Sequence, residues 1–486
     1  MPNFKQDHSA DTLFIEGSLD SLLPEDSPAR VVWGALEDLD FSRFEARYRN
    51  DAGGCAAVHP RRLAAVWILA LLKGITSSVQ VAKRCSQDIE FRWLLGGVQV
   101  QKSTLCAFRK SVLDELTQLA AQVLAAMARA GQLPGKALGT DGSVVQAAAS
   151  CGASKSRKQL QRRLGKLEEA VGEALDAGDE EGAEESAIKR LTQAMERTRK
   201  ALKEMDELGL RDDKDRITQT EPEAKMQKMK NGAFAPAHNV QTTVDLESGA
   251  IIVTEIIDQR NDGGQLQPQL EAAEAVFDAV AALLEDPQQG PGPVKAVAAD
   301  SMYQDTRQIV DLEARDVDTF VPDRQADRRP PGVSEAYKAQ AFTYDEGADT
   351  MHCPEGKVLN RRKLNNAKTA TVYQAQAGDC ASCPHKPECC PNSQSGRSVN
   401  RPIYGELLDA LAQRLESERG KAFRQARSVV VEGAYARLKE RFNWRRCRTW
   451  GADGARAEAL WRAIAHNLML LAGHWRPLVP QTKLPV

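Results

Sequence analysis

Apolar residues recur at three- and four-residue spacing from about Leu22 to Leu133, as in RRLAAVWILALLKG and TQLAAQVLAAMARAG, so this stretch is predicted to be all helical. Gly131 and Pro134 end its last helix. Within the block, SSVQVAKRCSQDIEFRWLLGG and QKSTLCAFRKSVLDEL predict short helices joined by a glycine turn, with Ser103 or Thr104 as the N-cap of the second. That pair is similar to a helix-turn-helix.

After Pro134 the period changes. The segment ALGTDGSVVQAAAS alternates like a strand, and two helical stripes follow: Leu160, Leu164, Leu167, Val171 and Leu175, then Ile188, Leu191, Met195, Leu202 and Met205. The acidic, glycine-containing DAGDEEGAEES lies between them, which predicts an antiparallel helical hairpin, an arm over 151–215. HNVQTTVDLESGAIIVTEIID holds two β-branched runs around a turn at Glu247, Ser248 and Gly249. A helix in QLQPQLEAAEAVFDAVAALLE, the strand VKAVAAD, a helix around TRQIVDLEAR and the strand DTFVP come next. A cysteine-bearing insert occupies about 330–400, and helices then resume.

Without the two insertions the order is three strands, then helix, strand, helix, strand, helix. This is the ribonuclease-H-like order, an α/β fold with a mixed sheet and flanking helices. The expected organisation is therefore a helical N-terminal domain of a DNA-binding type (1–134), a catalytic domain (135–475) carrying both insertions, and a tail (476–486).

The chain has 486 residues, enough for two or three domains and at least one large core. No run of about 18 apolar residues appears and the N-terminus lacks a basic-then-apolar signal, so a cytoplasmic protein without membrane spans is expected. A net charge of −2 argues against a uniformly basic nucleic-acid coat, but leaves room for local patches. Two are visible: Lys155, Arg157, Lys158, Arg162, Arg163 and Lys166, and later Arg437, Lys439, Arg441, Arg445, Arg446 and Arg448.

Three acids stand where this element order can bring them together. Asp141 lies on the first strand, Asp300 closes VKAVAAD, and Glu432 opens the helical segment VVVEGAYARLKERFNWRRCR. Three carboxylates facing one point are costly unless divalent cations neutralise them, and oxygen-only donors suit Mg²⁺ or Mn²⁺. A pair of such ions serves phosphoryl transfer, with Asp141 as the central, bridging carboxylate. Asp245, Asp258, Asp262 and Asp305 are nearby competitors. Lys439 lies seven residues after Glu432, two helical turns along, where it can reach a phosphate. Trp444, between cations that include Arg445 and Arg446, offers a ring for stacking on an unpaired base.

The chain resembles a bacterial insertion-sequence transposase of the DDE class, in the group named IS-eleven-eighty-two, over nearly its whole length. The resemblance rests on HPRRLAAVWILALLKGITSSVQVAKRCSQDIEFRWLLGG, TDGSVVQAAAS, HNVQTTVD with QRNDGGQLQP, AADSMYQDTR, and VVEGAYARLKERFNWRRCR with AEALWRAIAHNLMLL. It implies a ribonuclease-H-like domain, divalent-metal strand cleavage and transfer, and binding of terminal inverted repeats and target DNA, with a homodimer pairing two DNA ends. Asp141, Asp300 and Glu432 match the catalytic triad, and Lys439 matches the lysine of the tyrosine-arginine-glutamate-lysine signature. Arg427 stands five before Glu432, where the family places an arginine four before; Ser428 fills that place. An inactive, transposase-derived DNA-binding protein is the alternative reading.

Of ten cysteines, five cluster between 353 and 390. Cys353, Cys380-Ala-Ser-Cys383 and Cys389 or Cys390 resemble a four-thiolate structural zinc site, with His352 and His385 as alternative ligands. An insert of Pro, Gly and polar residues with little core of its own would need such a metal to fold.

Overall fold

In the computed structural model, residues 18–48, 57–110, 112–176, 183–212, 214–323, 330–366, 369–473 and 484–485 are described. Most of the acidic stretch between the arm helices, Cys55 and most of the expected tail lie outside them.

The N-terminal block is helical, as its periodicity requires. Its longer members are Pro60–Leu72 and Leu113–Arg129, whose apolar faces are buried. Ser78–Gln87 and Ile89–Leu94 are followed by Gly96 and Gly97, both at positive φ, and then by the helix Lys102–Lys110. That helix begins before Ser103 and Thr104, so neither is its N-cap.

Among the described residues the central sheet has six strands, five of them β1 (Ala137–Gln146), β2 (Phe234–Asp245), β3 (Ile251–Ile257), β4 (Ala296–Ala298) and β5 (Asp318–Phe320). Their spatial order is β3-β2-β1-β4-β5, antiparallel from β3 to β1 and parallel from β1 to β5. A short strand, Lys225–Lys228, extends the β3 side of β2 and was not foreseen from the sequence. The β2–β3 turn contains Glu247, Ser248 and Gly249, and Asp245 organises it. Its carboxylate accepts from the Glu247 and Ser248 amides and the Ser248 hydroxyl at 2.6–3.1 Å, and from the Gly135 amide at 3.0 Å.

Helices Leu266–Ala281 and Thr306–Glu313 fall where the spacing predicts them. The helix Glu418–Ala436 packs on β1, and its closest approach is at Gly139. A Cβ there would stand 2.6 Å from Leu246 Cδ2 and 2.9 Å from Val431 Cγ2, so only hydrogen fits. The C-terminal helix Gly451–Leu471 is buried on nearly every side from Ala455 to Leu470. It packs on Leu113–Arg129, on Pro60–Leu72 and on β3, so one buried cluster runs from Leu63 and Trp67 through Val240 and Val431 to Ile464. Asn467 fastens it to the sheet by accepting from the Ile251 amide (2.9 Å) and donating to the Ile251 carbonyl (2.8 Å).

Arg157–Asp176 and Ala183–Glu207 lie side by side. Arg157 pairs with Asp206 at 2.7 Å and Arg199 with Glu168 at 2.8 Å, a crossed numbering that makes the two helices antiparallel. Residues 343–402 hold a five-stranded antiparallel sheet with its own buried cluster, including Tyr337, Phe342, Leu359 and Tyr373. This corrects the expectation of an insert with little core: strands too short and polar to stand out singly are stabilised once paired.

Replacing Gly139 by Ala is expected to force the helix off β1. The cost is about 1–3 kcal/mol, read as a lowered thermal unfolding midpoint; an unchanged midpoint would show that the approach is not tight.

Candidate active site at the end of the central sheet

Register places the first two acids. The parallel pairing of β1 with β4 runs to Gly139 opposite Ala298, and two residues further along each chain stand Asp141 and Asp300. Neighbouring strands lie about 4.8 Å apart, so the two acids are neighbours, Asp141 midway along β1 and Asp300 just past the end of β4. Asp300 also caps the following turn by accepting from the Met302 amide at 2.8 Å.

Asp141 is mostly buried. Desolvation pushes its pKa up to about 6, with the Asp300 charge adding to the rise and Arg427 opposing it. Its Oδ2 accepts from Arg427 Nη1 at 3.3 Å and its Oδ1 from the Gly142 amide at 2.8 Å. Two acids beside one guanidinium leave negative charge in a desolvated place. Such a donor pair fits a hard divalent cation, which takes oxygen ligands and removes that cost.

Glu432 is carried by the same helix as Arg427, but its side chain is exposed and accepts from Ser428 Oγ at 3.0 Å. The structure thus brings Asp141 and Asp300 together and leaves Glu432 turned to solvent. Among the described residues, no group of three or more His, Cys, Asp or Glu side chains is arranged to hold a metal ion.

The remaining expected residues divide by burial. Lys439 lies in a π-turn, Arg437–Arg441, that ends the helix. Its ammonium is largely buried and donates to Ser143 Oγ and the Val144 carbonyl, the latter at 3.0 Å; burial pulls its pKa down to about 8. It ties the helix end to β1 instead of facing solvent alongside Glu432. Arg446 is likewise occupied, donating to the carbonyls of Ala147, Ala148 and Ala149 at 2.7–3.3 Å. Trp444 is fully buried with the Arg462 guanidinium 5.1 Å from its ring centroid, so it has no face open to a base. Arg446 nevertheless stays exposed; the inward turn of Lys439 and Trp444 has one cause, the loop after the helix folding back on the end of β1, where Gln146 pairs with Arg446. Arg445 is exposed and paired with Glu440 at 2.5 Å, and Arg437 is half-buried, its pKa lowered by that burial.

The competing acids have other work. Asp305 caps Thr306–Glu313, and Asp258 pairs with Lys225 at 2.7 Å. Asp262 is different. It accepts from Asn239 Nδ2 (3.0 Å) and Gln241 Nε2 (2.7 Å), and its Oδ1 lies 2.0 Å from where a Cβ on Gly142 would sit. It therefore abuts the residue after Asp141.

Two tyrosines escaped the sequence reading. Tyr435 is buried, and its hydroxyl lies between the carbonyls of Asp141 (2.9 Å) and Val240 (2.8 Å), bridging β1 and β2. Burial holds its pKa well above the ordinary tyrosine range, so it stays a neutral donor. Tyr303 donates to Gln241, itself bonded to Asp262. The available signal was polar Asn239, Gln241, Thr242 and Thr243 inside a β-branched strand; all four are buried.

A mixed sheet in this strand order, flanked by helices, fits the ribonuclease-H-like α/β fold. Residues 352–472 match the family model described as Transposase DDE domain, and residues 17–111 match that of Transposase domain (DUF772). The two matches support the reading as a DDE transposase. The first spans Glu432 and Lys439 but begins after Asp141 and Asp300, whose pairing rests on the sheet register. No curated protein and no solved structure matches the chain. Among the described residues no helix is long and apolar enough to cross a membrane.

Asp141 gives a signed pH prediction. Its folded pKa of about 6 lies above the ordinary 3.8. Stability from the buried, protonated form is then complete below the unfolded value and is lost as pH rises through the folded one, by on the order of 3 kcal/mol. Without divalent cations, Asp141→Asn should unfold at a higher temperature than wild type at about pH 8, and the gap should shrink at about pH 4. A gap independent of pH would refute the burial of this charge.

Proposed function

We propose that the chain is an insertion-sequence DNA transposase of the IS-eleven-eighty-two-like group that cuts element ends and joins the freed 3′-hydroxyl to target DNA. The single observation that carries this reading is the register that sets Asp300 beside Asp141 beneath the helix bearing Arg427 and Glu432. Asp141 and Asp300 would hold divalent cations, Mg²⁺ or Mn²⁺. Glu432, on the helix that also carries Arg427, would complete the set when DNA is bound. The bound ions supply activation of the attacking oxygen and stabilisation of the leaving one.

The protein's own part is positional. Arg427 holds the Asp141 carboxylate in one orientation, and Tyr435 and Lys439 fix the β1 backbone on either side of it. DNA contact is best supported on the arm, where Lys158, Arg162 and Lys166 recur every fourth residue along one exposed side of Arg157–Asp176. Arg163 is exposed beside them. Pairing of two element ends calls for a homodimer in the DNA complex.

The test is a nicking and strand-transfer assay on DNA carrying the flanking inverted repeats, with Mg²⁺ and with chelator. Asp141→Asn, Asp300→Asn and Glu432→Gln should each reduce cleavage to background while gel-shift binding persists. Cleavage retained by one variant removes that residue from the site; a wild-type chain that binds the repeats and never cuts them would leave a DNA-binding protein without turnover.

Replacing Lys158, Arg162 and Lys166 together by Ala should weaken binding equally for all sequences. The slope of log affinity against log salt should fall by about 0.9 for each phosphate that is no longer neutralised. An unchanged slope would place the DNA elsewhere.

A further inference from the structure

The five clustered cysteines converge in space although they come from three separate turns. Cys353 follows the strand Thr350–His352, in a tight turn where Gly356 takes φ 75° and the Lys357 amide donates to Cys353 Sγ at 3.2 Å. Cys380 sits on the short helix Ala377–Ala381, with Cys383 in the turn after it, and the Arg397 amide donates to Cys380 Sγ at 3.3 Å. Cys389 and Cys390 end the helix Lys386–Cys389. All five line one cavity, floored by Leu359 and Ala375. None of the five is in a disulfide.

Chemistry distinguishes these sulfurs from ordinary core cysteines. Backbone N–H groups directed at sulfur stabilise thiolate over thiol, and they are the outer contacts that orient metal-bound sulfur. An apolar surrounding by itself disfavours a thiolate, so thiolates in this cavity require a cation. The two histidines are engaged elsewhere. His352 stands 3.9 Å from Asp345, while His385 lies against the Tyr337 ring and 3.7 Å from Glu355; neither lines the cavity.

We propose that Cys353, Cys380, Cys383 and Cys390 bind one structural Zn²⁺ as four thiolates, with Cys389 a core residue beside them. Cys390 is placed in the set because its thiol is within hydrogen-bonding reach of Cys380. Four protein ligands leave no open position, so the site is structural. The side chains are not already arranged to hold the ion. Binding therefore draws them together across the cavity, releasing thiol protons to solvent, and the binding energy becomes folding energy of the subdomain. Among the described residues its apolar cluster has ten buried members, two of them Cys389 and Cys390, a small core that a metal staple would reinforce. The zinc site stands independently of the proposed DNA chemistry.

The full chain, purified without chelator, should contain stoichiometric zinc by elemental mass spectrometry. Exchange for Co²⁺ should give the sulfur-to-metal charge-transfer and tetrahedral ligand-field bands of a four-thiolate site. Cys353→Ser, Cys380→Ser, Cys383→Ser and Cys390→Ser should each lose the metal, and Cys389→Ser should keep it. Absence of zinc from the wild-type chain together with no Co²⁺ thiolate band overturns the site, as does a Cys380–Cys390 disulfide found under reducing purification. Metal kept by Cys390→Ser and lost by Cys389→Ser overturns the ligand assignment. Should a variant fail to fold, the wild-type Co²⁺ spectrum decides alone.

Discussion

The bare backbone of Gly139 is the constraint on which the candidate active site depends. Because no Cβ stands between β1 and Val431, the helix Glu418–Ala436 lies directly on the strand. At that distance the Tyr435 hydroxyl reaches the carbonyls of Asp141 and Val240, and Arg427 reaches the Asp141 carboxylate. One turn beyond, Lys439 reaches Val144, and the chain then folds back so that Arg446 clasps the carbonyls after β1. A wider approach would separate all four contacts at once, since they sit on a single rigid helix and its continuation.

A second dependence runs through the C-terminal helix. It is buried on nearly all sides because it stands between the N-terminal helices and β3, so it serves two cores together. Its polar residues are the fasteners. Glu458 accepts from the Arg448 and Thr449 amides at 2.6–2.7 Å, fixing the loop that carries Trp444 inward, and Asn467 pairs with the backbone of Ile251. Left without partners in such a place, each would cost more than the bond contributes. The arrangement couples the two transposase-matched segments, 17–111 and 352–472, through one helix.

Much of the fold was legible because the signals are local. Helices of the N-terminal block, the β2–β3 hairpin, β4 and the helix after it announce themselves by period and by turn residues. The five-stranded sheet of 343–402 did not, since its strands are short, largely polar and gain stability only from one another. Within the site, Asp141 could be read as lying on its strand and Asp300 as closing its own. The errors lay among cations and aromatics. Lys439 and Trp444 look like nucleic-acid contacts in a linear basic run, yet both turn inward while Arg445 and Arg446 stay exposed, and a charge or ring in sequence does not declare which way it faces.

By itself the sequence determined the order of most elements, the acid on β1 and the one closing β4, and the helical and cysteine-rich character of 151–215 and 330–400. Hydrophobic period and turn chemistry act over a few residues, so a chain read in one dimension carries them in full. Tertiary structure alone decided the parallel register that sets Asp300 beside Asp141, the outward turn of Glu432, the inward turn of Lys439, and the gathering of five thiols around one cavity. Each of these depends on how closely two segments far apart in the chain approach. That distance follows from the packing of whole surfaces, such as Gly139 under Val431, and not from the identity of the residues that the packing then brings together.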